Sequence, residues 1–282
     1  MNTMTTSPNC DITLILATCS RIKEVEDFFS SIRSTPEDIR LEIIIADQND
    51  DNRLAPIIEK LPARWKIVHV KSSVKGVCGA RNEVIERISS PIVAFPDDDC
   101  TYEEGAIANA LSLFAANRSA DVILGVWEGF GVAFPPKDFL KKENRYSIFK
   151  KGEMFVQFYR AEMVRRIGTF DENFGPSPNS RYPFGGDDSD YLARAALAGA
   201  KIYRSSKIKI RHPLQNNVPL EKIRGYGITR MALLKKLRYP LWFKAANIFY
   251  PLAKIVSSPK KFVYYFNMFY GRAFGKQKER IP

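Results

Sequence analysis

Residues 92–100 read Ile92-Val93-Ala94-Phe95-Pro96-Asp97-Asp98-Asp99-Cys100, and the rest of the chain is organised around them. The apolar run predicts a buried strand, and the proline ends it. Three like charges this close repel one another unless a cation neutralises them. Because Mg²⁺ and Mn²⁺ prefer oxygen ligands, and open α/β sheets bind ligands at the carboxyl ends of strands, the stretch predicts a metal–diphosphate site. The alternative is a solvated acidic turn that caps the next helix, since Glu103 and Glu104 extend the acidity.

Strands and helices alternate around this stretch. Residues 12–17 and 41–46 are apolar runs typical of buried parallel strands, and residues 66–71 predict a third strand. Helices are predicted after each of them, the first from apolar residues at helical spacing between Val25 and Ile32. A helix over 103–117 follows the strand at Ile92. Four alternations predict an α/β protein with a Rossmann-like, mostly parallel, doubly wound sheet.

The pattern weakens beyond residue 117. Residues 121–127 and 155–159 predict strands, and 161–167 predict a short helix that Gly168 ends. Residues 129–152, with adjacent prolines and many charges, predict an irregular loop. An acidic cluster at 187–190 opens a helix to about residue 198, and strands near Ile202 and Ile208 lead to His212.

The totals describe a globular chain with excess positive charge: 282 residues, 45% hydrophobic, 26% charged and a net charge of +12. Four cysteines without a CxxC pair, and only two histidines, argue against a zinc site and favour reduced thiols in a cytosolic setting. The first ten residues lack the features of a signal peptide, and no apolar stretch approaches the roughly 18 residues of a membrane span. We therefore expect a cytoplasmic protein.

Positive charge is concentrated after residue 220. Lysines and arginines there are interleaved with aromatic residues, and between Lys222 and the C-terminus only Glu279 is acidic. This predicts a domain of residues 1–219 and a basic, aromatic-rich helical extension of residues 220–282. The composition favours amphipathic helices on an anionic membrane surface over nucleic-acid binding, because the aromatics outnumber what base stacking needs. A packed subdomain or oligomer interface is the structural alternative, and the oligomeric state is undecided.

Three acidic sites follow one another, at Asp47, at residues 97–99 and at residues 187–190. With the strand order, they resemble the inverting glycosyltransferases of family 2, which have the GT-A fold, over about residues 11–213. The matching segments occur in the family's order: a strand leading into Thr18, Ala46-Asp47-Gln48, the Gly…Ala-Arg-Asn segment of residues 76–82, Phe95-Pro96-Asp97-Asp98-Asp99, the acceptor-side segment of residues 167–175, and Gly186-Asp187-Asp188.

The resemblance implies a nucleotide-diphosphate-sugar donor, carried by UDP, GDP or dTDP, and a Mn²⁺ or Mg²⁺ ion. The implied donor-binding residues are Thr18, Asp47, Arg81, Asp97 and Asp98. Asp47 would accept a nucleobase N–H, and Arg81 would approach the nucleotide or its phosphates. Their structural alternatives are an Asx-turn residue and a surface arginine.

Two residues are candidate metal ligands. Asp99 matches the last aspartate of the family's Asp-x-Asp motif, and the ion would offset charge on the leaving diphosphate. His212, between a predicted strand and a proline, is the second candidate, and its alternative is a structural histidine.

Inversion also requires a base for the acceptor hydroxyl. Asp188 matches the aspartate of the family's Glu-Asp motif and is the implied base, whereas Asp187 stands where the family has Glu. Asp187, Gly186 and Phe184 would contact the acceptor, a saccharide or lipid-linked saccharide. Neighbouring carboxylates should raise the pKa of the base and the helix N-terminus should lower it; N-capping is the structural alternative.

Cell-surface polysaccharide or glycan assembly is the expected setting of the reaction. The enzyme alternative is a sugar nucleotidyltransferase, which usually has a glycine-rich signature after the first strand, but Thr18-Cys19-Ser20-Arg21 has no glycine. The non-enzyme alternative is a basic membrane or nucleic-acid adaptor on a degenerate core. The three acidic clusters argue against it, because such a core would have no need to bear their repulsion.

Overall fold

The computed structural model describes residues 10–129, 133–150, 152–213 and 218–275. Within these residues the strands are β1 Ile12–Thr18, β2 Leu41–Asp47, β3 Lys66–Lys71, β4 Ile92–Ala94, β5 Thr101–Tyr102, β6 Val122–Glu128, β7 Leu140–Glu143, β8 Gln157–Arg160 and β9 Ile202–Arg211. The helices are α1 Lys23–Ser31, α2 Ala55–Ile58, α3 Val77–Val84, α4 Ala106–Ala116, α5 Ala161–Ile167, α6 Asp187–Leu197, α7 Leu220–Lys236, α8 Leu241–Ser257 and α9 Phe262–Phe274.

These strands form one sheet in the order β3-β2-β1-β4-β8-β6-β9-β5, with β7 paired to β9. β1 to β4 are parallel, which confirms the α/β sheet that the first 117 residues predict. β8 runs antiparallel between β4 and β6, so the sheet is mixed beyond β4. An apolar run shows that a strand exists but not its direction, and the sequence therefore could not place this reversal.

The core lies on both faces of the sheet. Along β1, Leu14 and Leu16 pack into one buried cluster while Ile15 packs into the other. Side chains alternate between the faces of a strand, so a strand covered on both sides is apolar at nearly every position. This explains why β1 and β2 are near-continuous apolar runs; their buried polar residues, Thr13 and Glu42, are joined by a hydrogen bond.

Two details of the second half differ from the prediction. Residues 129–152 are not an irregular loop throughout, because β7 lies there and pairs with β9, with Glu143 in a buried 2.8 Å ion pair with Arg204. β7 reads Leu-Lys-Lys-Glu, which carries no apolar alternation. The strands predicted near Ile202 and Ile208 are one strand, β9, which stays paired with β6 through a register shift.

Residues 218–275 are mainly helical, as predicted for the extension. α7 and α9 approach closely: a Cβ on Gly227 would lie 2.8 Å from the Met268 carbonyl oxygen, and one on Gly271 would lie 2.3 Å from that of Arg224. Every helix among the described residues is too short or too polar to span a bilayer. The domain boundary after residue 219 stays a prediction.

Candidate active site

Strand register brings the predicted donor-side residues to one edge of the sheet. Thr18 is the register partner of Asp47 at the carboxyl ends of β1 and β2. The neighbouring Ala17 forms an isolated bridge with Asp97, just past the end of β4. Thr18, Asp47 and Asp97, which are about 30 and 50 positions apart in the chain, therefore meet at the edge where α/β sheets bind ligands.

The three carboxylates that follow β4 have cationic partners within the protein. Asp98 accepts hydrogen bonds from Thr18 Oγ1 at 2.7 Å and from Arg21 Nη1 at 2.6 Å. The same Arg21 Nη1 lies 2.6 Å from Asp99 Oδ2, and Arg81 Nη2 lies 3.0 Å from Asp97 Oδ1. The repulsion that the sequence suggests is thus partly neutralised by arginines. Arg21 is a site residue that the sequence analysis missed, although its place directly after β1 was a usable signal.

Asp97, Asp99 and His212 form a group that could hold a metal ion. One ligand atom from each lies within 4.8 Å of the other two. His212 Nε2 is 3.1 Å from Asp99 Oδ1, and its ring stacks on Phe155 with centroids 4.5 Å apart. Carboxylate oxygens suit Mn²⁺ or Mg²⁺, and imidazole is a common metal ligand. The structure thus adds Asp97 as a third candidate ligand.

The pKa values of this group are set by burial and by the cations. Burial raises the pKa of Asp97 and Asp98. Burial would also raise the pKa of Asp99, but the hydrogen bonds and charges of His212 and Arg21 outweigh it and lower that pKa. The pKa of His212 is raised, because its contact with Asp99 outweighs burial. Asp99 is therefore the carboxylate best kept ionised for a cation.

Arg81 connects two acidic groups. Its side chain is 1% exposed, with Nη2 on Asp97 and Nη1 3.6 Å from Asp187 Oδ2. The guanidinium also lies over the ring of Phe170, 5.5 Å from its centroid. It is not a surface arginine, and it lies between the group near β4 and the start of α6.

Asp47 is fully buried, and both of its carboxylate oxygens have partners. Oδ1 accepts hydrogen bonds from Asn49 N–H and Nδ2, and Oδ2 lies 2.9 Å from both His69 Nε2 and Lys71 Nζ. These contacts outweigh burial and lower the pKa of Asp47. The Asx turn given as its structural alternative is therefore present, and a role toward a nucleobase stays a prediction.

Asp187 and Asp188 begin α6 directly after Gly186, whose φ of 94° lies in the left-handed region that glycine tolerates. Burial raises the pKa of both carboxyls; Asp188 adds to the effect at Asp187, and Glu153 adds to it at Asp188. The N–H of Ser189 donates to Asp188 Oδ1 at 2.5 Å and opposes the rise. The net effect is a raised pKa for both carboxyls, and its main cause, burial, is not one of the two effects that the sequence analysis weighed.

α7 forms one wall of this second acidic group. A Cβ on Gly225 would lie 2.1 Å from Phe184, and one on Gly186 would lie 2.5 Å from Thr229. Farther along α7, the positive charge of Arg230 partly opposes the rise in the pKa of Asp188. The predicted acceptor residues Phe184 and Gly186 therefore pack against the C-terminal extension.

Arg230 lies near Asp188 and Glu153, and its guanidinium stands 4.5 Å from the centroid of the Phe149 ring. Its Nη1 is shielded from solvent and has no hydrogen-bond partner among the described residues. Glu153, which also accepts a hydrogen bond from Trp127 Nε1, and Arg230 are site residues that the sequence analysis missed. No motif surrounds either of them.

An open cleft of about 700 Å³ adjoins the metal-binding group. Asp99 and His212 are among its lining residues, as are Glu24 and Asp27 of α1. Binding sites for small ligands typically enclose about 300 to 1,000 Å³. The cleft is therefore large enough for a ligand that reaches the metal-binding group.

Comparison with known proteins agrees with this geometry. The profile of glycosyl transferase family 2 matches residues 13–174, more than half of the chain. Because this match covers more than half of the chain, the chain belongs to glycosyl transferase family 2, and its fold and family define it as a glycosyltransferase. No curated protein matches the sequence.

Solved structures show the same fold at 14% identity. TarS 1-349 of S. aureus, in complex with UDP-GlcNAc, superposes with a TM-score of 0.64 over 96% of this chain and 98% of that one. The mannosyltransferase PcManGT of Pyrobaculum calidifontis, in complex with GDP-Man and Mn²⁺, superposes with a TM-score of 0.68 over 97% and 89%. Against a longer TarS chain, this protein spans 55% of the partner's length. At this identity, the comparisons establish the fold.

Proposed function

We propose that the chain transfers a sugar, with inversion and the assistance of a divalent metal, from a nucleotide-diphosphate sugar to a hydroxyl of a saccharide or lipid-linked saccharide. The observation that carries the proposal is the pair of acidic groups joined by Arg81. One group could hold a cation, and the other contains two carboxyls with raised pKa values. Donor activation and proton removal are the two tasks that inverting transfer requires.

On the donor side, Asp99 and His212, joined by Asp97, would hold Mn²⁺ or Mg²⁺. When bound, the metal supplies a positive charge for the leaving diphosphate. Arg81 and Thr18 lie next to this group and would orient the donor phosphates and ribose, together with Asp98.

The nucleobase is proposed to lie near Asp47. To accept a base N–H, Asp47 would exchange one of its present partners, and Lys71, whose side chain is 41% exposed, is the one at the surface. The nucleotides bound to the similar structures, UDP and GDP-Man, support UDP or GDP as the carrier, with dTDP as the third candidate.

On the acceptor side, Asp188 would take the proton of the attacking hydroxyl. The new carbon–oxygen bond forms at the anomeric carbon while the bond to the diphosphate breaks, and the bonding electrons leave with the diphosphate. Attack from the face opposite to the leaving group inverts the configuration. Asp187, Gly186 and Phe184 would position the acceptor. We place the reaction in the cytoplasm, at the inner face of a membrane, in the assembly of a cell-surface polysaccharide or glycan.

Calorimetric titration of UDP, GDP and dTDP, each with and without Mn²⁺, tests the donor side. We expect one nucleotide to bind in a Mn²⁺-dependent manner to the wild type, and the dependence to be lost in Asp99→Asn. Asp38→Asn, which removes a charge from an exposed residue away from the site, is the matched control and should bind like the wild type. Absence of binding by all three nucleotides, or Mn²⁺-dependent binding unchanged in Asp99→Asn, would overturn the proposal.

A further inference from the structure

The solvent-facing side of α8 is apolar. Its exposed residues are Leu241, Trp242, Ala245, Ala246, Phe249, Tyr250, Ala253, Val256 and Ser257. Leu241 is 80% exposed and Val256 82%, whereas the two lysines of the helix, Lys244 and Lys254, are half-buried. A helix on the surface of a globular domain normally has charged residues toward water. The polarity of α8 is the reverse.

α9 continues this surface. Phe262, Phe266, Tyr270 and Phe274 are exposed and follow one another at intervals of four residues, which places them on one side of the helix. Phe269 connects them to α8, because its ring centroid lies 6.4 Å from that of Phe249. It also lies 6.0 Å from the centroid of Phe274. The exposed sides of the two helices form one continuous surface, the α8–α9 face.

Positive charges border the α8–α9 face. Lys260 and Lys261 are exposed in the turn between the helices, and Lys235 and Arg238 are exposed just before α8. No acidic residue occurs between Lys222 and Gly275. A large exposed apolar surface marks an interaction site, and its basic border selects an anionic partner.

We propose that the α8–α9 face binds the surface of an anionic lipid bilayer. The two helices lie in the plane of the interface, with their aromatic side chains at the level of the lipid headgroups and upper acyl chains. Lys260 and Lys261 then lie close to lipid phosphates. The other candidate occupant is a second copy of this chain, but pairing two such faces would bring two positive borders together. An anionic bilayer offers apolar burial and neutralises the charge.

α7 lies between the α8–α9 face and the acceptor-side residues. α7 contacts α9 through Gly227 and the acceptor-side residue Phe184 through Gly225. A bilayer bound to the α8–α9 face therefore lies one helix away from the acceptor-side residues. This consequence rests on the proposed function, because it concerns acceptors anchored in the same bilayer; the lipid binding itself does not.

Flotation of the full chain with vesicles tests the proposal. We expect binding to vesicles that contain phosphatidylglycerol and much weaker binding to phosphatidylcholine alone. Leu241→Gln/Val256→Gln should weaken the binding about 100-fold, about tenfold for each lost apolar insertion. The matched control is Leu140→Gln/Leu197→Gln, which changes side chains that are 45% and 42% exposed elsewhere and should bind like the wild type. Lys260→Gln/Lys261→Gln should weaken binding to anionic vesicles about 30-fold, about fivefold for each lysine.

Three results would overturn the proposal. The first is no flotation of the wild type, and the second is equal flotation of Leu241→Gln/Val256→Gln. The third is a dimer, seen by analytical ultracentrifugation, that this double variant dissociates, since the face would then bind a second copy. Circular dichroism of each variant reports whether it is folded, and nucleotide titration reports on the donor site. Nucleotide binding without vesicle binding contradicts the lipid surface alone, and vesicle binding without nucleotide binding contradicts the transferase alone.

Discussion

Replacing Asp188 by Asn tests the assignment of the base. The substitution keeps the size of the side chain but removes its ability to accept a proton. General-base catalysis contributes about 10²- to 10⁴-fold, so kcat should fall by that factor, equivalent to about 3 to 5 kcal/mol of transition-state stabilisation. Among the described residues, Asp188 makes no hydrogen bond to the predicted donor-binding residues, so nucleotide affinity should stay within about twofold.

The pH profile gives the sharper test. Burial, reinforced by Glu153, raises the pKa of Asp188 from 3.8 to about 6. A base works only when ionised, so kcat/KM of the wild type should fall as the pH falls through about 6, whereas an ordinary aspartate would stay ionised down to about 4.

Initial rates of nucleoside-diphosphate release between pH 5 and pH 8, at saturating Mn²⁺, supply the measurement. The remaining rate of Asp188→Asn should lack the decline near pH 6. Asp187→Asn is the control, because it removes the neighbouring carboxylate that contacts Arg81; it should raise the acceptor KM and keep the decline. Unchanged kcat in Asp188→Asn, or the same decline in its profile, would refute the assignment.

Two further predictions concern α7. Arg230→Met removes the positive charge that lowers the pKa of Asp188, so the decline of kcat/KM should move to higher pH; a profile that stays in place or moves to lower pH would contradict this role. Gly225→Ala places a Cβ 2.1 Å from Phe184, where ordinary contacts begin at 3.4 Å, so the ring must move by about 1.3 Å. Overpacking lowers the free energy of unfolding by about 1 to 3 kcal/mol, which thermal or denaturant unfolding measures. Because the ring of Phe184 is displaced, the acceptor KM should also rise while calorimetric nucleotide affinity is unchanged; an unchanged stability together with an unchanged acceptor KM would contradict the contact.

The parallel half of the sheet and the position of the donor-side residues could be predicted from the sequence. Near-continuous apolar runs mark β1 and β2 as strands covered on both faces, and their polar ends at Thr18 and Asp47 meet because parallel strands end at the same edge. Family resemblance then placed Asp97–Asp99 and Asp188 within one site. The local sequence pattern was sufficient to predict the structure wherever strands and helices alternate regularly along the chain.

The features that the sequence analysis missed all depend on contacts between residues that are far apart in the sequence. Arg21 contacts Asp98 across 77 positions, and Arg230 acts on Asp188 from another helix. The burial that raises the pKa of Asp188 is likewise a property of the assembled site, and spacing within the sequence does not report it. The sequence analysis did not predict strand β7, because three of its four residues are charged and its partner strand, β9, lies about 60 residues away.

The close packing of α7 on Phe184 and Gly186 has a practical consequence for anyone who trims this protein. Deleting the aromatic C-terminal region to make the protein more soluble would remove the helix that packs against Phe184 and Gly186 and the arginine near Asp188. Slow turnover of such a shortened chain would therefore not by itself indicate a lost membrane contact. Polar substitutions on the exposed side of α8 leave α7 in place, so they are the better way to reduce the exposed apolar surface.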